Sequence, residues 1–134
     1  MYLSKFTDYS FRALIYLANN TDRLCTVEEL STTLDISEHH LKKIVQKLAK
    51  TEFVISLKGR AGGLKLGLDP SDIILSEVLK VTEENLNIAG CFSNRDSCPM
   101  MSSGCRLKGI MNSALNSFID EFANYTLADV LPNK

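Results

Sequence analysis

SEHHLKKIVQKLAKTEFVISLKGRAGGLKL, residues 37–66, is the stretch whose reading decides the fold. Its first half is helical by pattern. Leu41, Ile44, Val45 and Leu48 recur at i, i+3, i+4 and i+7 and form an apolar stripe. Ser37 stands where an N-cap side chain accepts from a free amide of the first turn. The opposite face carries His39, Lys43, Gln46, Lys47 and Lys50. The second half reads as a hairpin. Val54-Ile55-Ser56-Leu57 is β-prone, and Leu64, Leu66 and Leu68 alternate with Lys65 and Gly67. Between them, Lys58-Gly59-Arg60-Ala61-Gly62-Gly63 is a glycine-rich turn that carries two cations. A basic amphipathic helix followed by a basic-tipped hairpin suits a nucleic-acid reader, because glycines let the cations approach phosphates or enter the minor groove.

The flanks complete this pattern. Thr26-Val27-Glu28-Glu29 has the form of a capping box and opens a short helix towards Leu34, with Asp35-Ile36-Ser37 as a tight connection. Upstream, residues 4–17 read as a helix that ends at Asn19-Asn20. Phe6, Tyr9, Ala13 and Tyr16 lie on one side of it, and Phe11, Leu14, Leu17 and Ala18 on a neighbouring one. Three helices, the third basic, and then a hairpin make a winged helix-turn-helix over residues 1–69.

Downstream, Asp69-Pro70-Ser71 starts a new element, and Ser76 is expected to cap a helix containing Val78 and Leu79. A stretch rich in Gly, Ser, Asn and Cys runs from Asn85 to Gly104, and its breakers predict irregular chain. The longest helix follows, with Leu107, Ile110, Met111, Ala114, Leu115, Phe118, Ile119 and Phe122 keeping the helical rhythm. Thr126-Leu127-Ala128-Asp129 resembles the cap of a last short helix. A long helix outside the winged unit needs a surface to pack on, and a matching helix in a second subunit supplies one. The fold class is therefore mostly α with a small β-hairpin. Residues 70–134 are expected to form a cysteine-loop sensor and dimerisation region.

The net charge of the 134 residues is −1, but the distribution is uneven. Residues 37–65 hold seven Lys and Arg against Glu38 and Glu52, a local charge of +5, which leaves −6 for the remainder. One basic segment in an acidic chain is the footprint of a phosphate-contacting surface. A solvated helix face explains a charge run equally well, and the order of the elements favours DNA. No apolar run reaches the roughly 20 residues of a membrane span, and no signal-peptide pattern opens the chain, so a cytoplasmic protein is expected. No nucleophile–base pair or phosphate-binding loop is evident, which argues against an enzyme.

Cys91, Cys98 and Cys105 are spaced C-x6-C-x6-C within the irregular stretch. In a reducing compartment, thiols grouped in one loop suit a metal or a redox switch better than a structural disulfide. Cys105 at the start of the long helix, with Arg95, Arg106 and Lys108 nearby, favours thiolate. Three thiolates suit zinc or an iron–sulfur cluster, each usually completed by a fourth ligand. The long gaps depart from tight zinc knuckles and lean towards iron–sulfur. Cys25 stands apart and reads as a buried small hydrophobe.

Phe6-Thr7-Asp8-Tyr9 followed by Arg12-Ala13-Leu14-Ile15-Tyr16-Leu17-Ala18 resembles the N-terminal signature of the NsrR/IscR family of winged-helix iron–sulfur regulators. So do His40-Leu41-Lys42-Lys43-Ile44-Val45, the wing turn, Cys105-Arg106-Leu107, and Tyr125-Thr126-Leu127-Ala128-Asp129, in the same order. The likeness is greatest to the nitric-oxide-sensitive members. It implies a dimeric transcriptional repressor whose cluster gates binding to a palindromic operator in double-stranded DNA. It further implies metal ligation by Cys91, Cys98 and Cys105 of one subunit and Asp8 of the other, with a four-iron four-sulfur or two-iron two-sulfur cluster. Without the resemblance, Asp8 reads as a residue placed at a helix start. IscR-like members use a histidine beyond the cysteine loop, and no histidine follows His40 here.

The expected reader is then the third helix with His39, Lys43 and Gln46 in the major groove, and Lys58 and Arg60 of the wing on the backbone or in the minor groove. Nitric oxide would displace cluster ligands, shift the long helices and spoil the half-site spacing. The alternatives are a cluster-free winged-helix regulator that responds to thiol oxidation or a metabolite, and an iron–sulfur carrier or redox protein that binds no operator.

Overall fold

The computed structural model describes residues 1–93, 99 and 104–132. The first helix, α1 (Lys5–Ala18), begins at Ser4, whose Oγ accepts from Thr7 N at 3.1 Å. Its buried stripe is Thr7, Ser10, Ala13, Leu14, Leu17 and Ala18. The aromatic residues expected to share that role, Phe6, Tyr9, Phe11 and Tyr16, are half-buried and pack around the core instead. A reading by hydrophobicity passes over Thr7 and Ser10 because hydroxyls are buried only when paired, and pairing is not visible in spacing. Ser10 Oγ donates to Phe6 O at 2.6 Å, and Thr7 Oγ1 donates to Glu83.

Helix α2 (Val27–Leu34) carries the expected capping box: Glu29 N donates to Thr26 Oγ1 at 3.1 Å and Thr26 N to Glu29 Oε1 at 2.8 Å. Asp35 closes it in the left-handed region at φ 54°. Ser37 caps α3 (Glu38–Leu48), which stops two residues short of Lys50. Leu41, Ile44 and Leu48 of α3 are buried, while Val45 is half-buried. The wing is β1 (Val54–Leu57) against β2 (Gly63–Leu66), antiparallel, with Val54 opposite Leu66 and Leu57 opposite Gly63. Cys25 adds one further bridge to Leu64, through hydrogen bonds of 2.9 and 2.7 Å, and so links the loop before α2 to the hairpin.

A 3-10 turn at Pro70–Asp72 leads to α4 (Leu75–Thr82). Ser76 does not cap this helix. It lies buried inside the first turn, and Ile74 holds the N-cap position without a side-chain bond. The start is set by tertiary pairing: Ile74 bridges Thr126, Leu75 N donates to Tyr125 O at 3.0 Å, and Leu127 N to Ile73 O at 2.8 Å. Within the stretch expected to be irregular, Gly90–Ser93 forms a single helical turn, α5, which carries Cys91. The long helix α6 (Arg106–Ala123) follows, with Cys105 as its N-cap. A last 3-10 segment, Leu127–Val130, has the Thr126/Asp129 capping box.

One core joins these parts. Leu14, Leu30, Leu41, Ile44, Ile73, Val78 and Leu127 are all fully buried in it. By contrast, α6 packs along α4 yet has no fully buried residue, and Leu107 and Ile110 are 60% and 64% exposed.

Tyr16, Arg23 and Glu29 pin the end of α1 to the start of α2. Arg23 Nη2 lies 2.8 Å from Glu29 Oε2, and Tyr16 OH donates to the same oxygen at 2.8 Å. The bond from Arg23 lowers the Glu29 carboxyl from its ordinary value near 4.5 to about 2. A carboxyl depressed in the folded state stabilises above its unfolded pKa, and that contribution disappears as pH falls through the folded one. Glu29→Gln is therefore expected to flatten the acid limb of stability between about pH 4.5 and 2. The effect should be modest, because the pair is partly exposed and screened. Urea midpoints across that range measure it, and an acid limb as steep as the wild type would refute the assignment.

Candidate functional site: nucleic-acid interface and thiol-bearing loop

The outward face of α3 presents His39, Lys42, Lys43, Gln46 and Lys47, all exposed. The buried stripe on the reverse side fixes the helix against the core, so this face is held rigidly towards solvent. His40 diverges from His39: it is half-buried, with its ring edge-on to Tyr9 at 5.1 Å. Nothing in the spacing separates the two histidines, because the contact depends on a residue 31 positions away.

The wing tip closes by Gly62 N donating to Gly59 O at 3.0 Å, and Lys58 and Arg60 stand exposed on this turn. A Cβ on Gly62 would fall 2.1 Å from Leu57 O, so the tight turn demands glycine there. Among the described residues, ion pairs join Asp8 to Arg12, Glu29 to Arg23 and Glu77 to Lys80. None involves a cation of α3 or the wing. No carboxylate among the described residues lies within ion-pair distance of them, which leaves these cations open to an anionic partner.

Cys91 and Cys105 are free, half-exposed thiols. Cys98 lies outside the described residues. Lys108 Nζ sits over the Phe92 ring at 5.8 Å, which packs the α5 turn against the first turn of α6. Cys105 makes no side-chain cap bond, so the opening amides of α6 are left without that partner. Asp8 lies in the first turn of α1, its carboxylate gripped by Arg12 through bonds of 3.0 and 3.1 Å and still 45% exposed. Among the described residues, no three His, Cys, Asp or Glu side chains of this one chain converge as a metal site. Cys25 is fully buried, and burial pushes its thiol up from the ordinary value, which suits packing and not ligation.

The structure also brings together groups that no motif announced. Ser4 Oγ donates to Glu83 Oε2 at 2.6 Å, Ser4 N to the same oxygen at 3.2 Å, and Thr7 Oγ1 to it as well. Glu83 is 76 residues from Thr7, beyond the reach of any local pattern.

Comparison with known proteins gives one consistent result. The profile of the Rrf2 family, described as "Iron-dependent Transcriptional regulator", matches residues 3–133. The HTH-type transcriptional regulator NsrR of Bacillus subtilis is 38% identical over 135 residues, a match that covers all of this chain and 92% of that protein. Among solved structures, T. potens IscR superposes with a TM-score of 0.76 at 22% identity, over 96% of this chain and 85% of its own. CymR, the global cysteine regulator of B. subtilis, gives 0.70 at 23% identity, over 97% and 95%.

Proposed function

The chain belongs to the Rrf2 family of transcriptional regulators, and on that premise we propose that it is a homodimeric, operator-binding repressor governed by an iron–sulfur cluster that responds to nitric oxide. Its relatives are named as regulators and not as enzymes. The observation that carries the DNA reading is the exposed basic surface of α3 and the wing, whose cations make no ion pair among the described residues. His39, Lys43 and Gln46 read base edges in the major groove, and Lys58 and Arg60 hold phosphates or enter the minor groove. No helix among the described residues is long and apolar enough to cross a membrane, and such a regulator works in the cytoplasm.

The donor set suits a cluster shared between subunits. Cys91 and Cys105 are free thiols, Cys98 adds a third thiolate, and among the described residues no three His, Cys, Asp or Glu side chains of one chain gather at one place. Asp8 of the second subunit completes the set. The exposed face of α6 supplies the dimer contact that brings it there, and residues 70–134 thus combine sensing with dimerisation while residues 1–69 bind DNA. When bound, the four-iron four-sulfur or two-iron two-sulfur cluster supplies iron for nitric oxide to attack. Asp8 would be the hard donor of such a set beside three thiolates, and so its weakest corner; in the chain by itself Asp8 is paired with Arg12 of its own helix.

Protein purified without oxygen, with its iron and sulfide measured, and then used to select from a random duplex library tests this reading. A brown protein that selects a palindrome and releases it on exposure to nitric oxide is expected. A colourless protein that still selects a palindrome would overturn cluster control in favour of a thiol or metabolite response. A brown protein that selects no duplex would mark a carrier.

The wing makes a separate prediction. Replacing Lys58 and Arg60 together by alanine is expected to weaken binding about tenfold or more, and equally across sequence variants. The slope of log affinity against log salt should fall by about two, one for each phosphate contact removed. An unchanged slope would show that the wing does not reach the backbone.

A further inference from the structure

The first turn of α1 faces two ways. Thr7 is fully buried and, with Ser4, donates three hydrogen bonds to one carboxylate oxygen of Glu83. Asp8, the next residue, projects to the half-exposed side with Arg12. Glu83 is also the C-cap of α4, with its N–H on Leu79 O at 2.9 Å, and seven residues, 84–90, separate it from Cys91. One side chain thus closes α4, sits at the positive end of α1 and roots the thiol-bearing segment. The donors are a buried hydroxyl, a cap hydroxyl and a backbone N–H, none able to swing far without breaking a helix start.

We infer that Ser4, Thr7 and Glu83 form a strap that couples the two cluster sites of the dimer. The inference rests on the shared ligation proposed above. In a two-fold dimer each site joins the cysteine segment of one chain to Asp8 of the other. Asp8 is fixed to Thr7 by one peptide bond, and Thr7 is strapped to the root of its own cysteine segment. Displacing Asp8 at one site therefore strains the root of the other site. The two sites fill and empty together, and Glu83 acts as a positioning residue that touches neither iron nor DNA.

Native mass spectrometry of the dimer during stepwise removal of iron by a chelator tests the coupling. Independent sites would give about half of the dimers with a single cluster at half loading, whereas coupled sites suppress that species. The wild type is expected to show mainly doubly loaded and empty dimers. Glu83→Ala, and separately Thr7→Val, should raise the singly loaded form towards one half. Glu83→Gln keeps an acceptor oxygen and should restore pairwise loading. A wild type that already follows independent statistics would overturn the coupling.

Hydrogen exchange on the cluster-free protein tests the strap itself, whatever the outcome for iron. Thr7→Val is expected to speed exchange at the start of α1 and in residues 84–91 together. Loosening of only one of these segments would refute the strap. Iron-free wild-type protein after anaerobic reconstitution would overturn the shared cluster and the coupling of sites, with the strap decided by exchange alone.

Discussion

Cys98→Ala is expected to reduce bound iron and sulfide to background and to abolish the response to nitric oxide, while leaving the melting temperature and helix content as they are. The reason lies in what the substitution removes and what it spares. In the proposed ligand set Cys98 would provide one of three soft donors, and Cys91, Cys105 and a partner carboxylate alone would not hold a cluster whose iron prefers thiolate. Among the described residues, the fully buried core lies on α1 to α4, the wing and the C-terminal segment, and neither Cys91 nor Cys105 belongs to it. Cys25→Ala should behave oppositely, retaining full iron while losing stability, because its side chain is fully buried behind β2. Iron and sulfide analysis beside thermal melts of both variants separates the two roles. A Cys98 variant that loads normally, or a Cys25 variant that does not, would reverse the assignment.

The legibility of this chain in its sequence follows the range of the forces involved. The α3 stripe, the Ser37 and Thr26 caps, the wing and the Thr126 box were readable because each is decided within a short local stretch, at most the 12-residue separation of Val54 and Leu66 in the wing. Ser76 misled because a serine before an apolar run signals a cap. Here the Ile74–Thr126 bridge sets the helix start, and that bridge spans 52 residues. The buried hydroxyls of Thr7 and Ser10 were passed over for a related reason: Thr7 finds its partner in Glu83 across the fold. At the site, the exposed cations were legible as charge, but the division between His39 and His40 was not. The single turn that carries Cys91 was hidden by Gly90 and the breakers after it, and it is held against α6 by Lys108 over Phe92.

Leu127→Ala is expected to cost about 2–5 kcal/mol, the range for truncating a large buried aliphatic side chain, and to lower the melting temperature by roughly 10 °C or more. Leu127 has no accessible surface and shares one core with Leu14, Leu17 and Ile73. Its backbone N–H is committed to Ile73 O at 2.8 Å, so the side chain cannot relax into the cavity without disturbing that bridge. Val130, three residues on and 45% exposed, is the internal control, and Val130→Ala should change stability by no more than about 0.5 kcal/mol. Equal effects at the two positions would show that the C-terminal segment is not part of the core. The consequence extends to signalling. Phe122 edge-on to Phe11 of α1 at 6.1 Å, together with the packing of α6 along α4, joins the long helix to the unit that carries α3. In the proposed dimer, a shift of α6 would then move the whole reading head as a body, and the proposed cluster would alter half-site spacing without bending α3 itself.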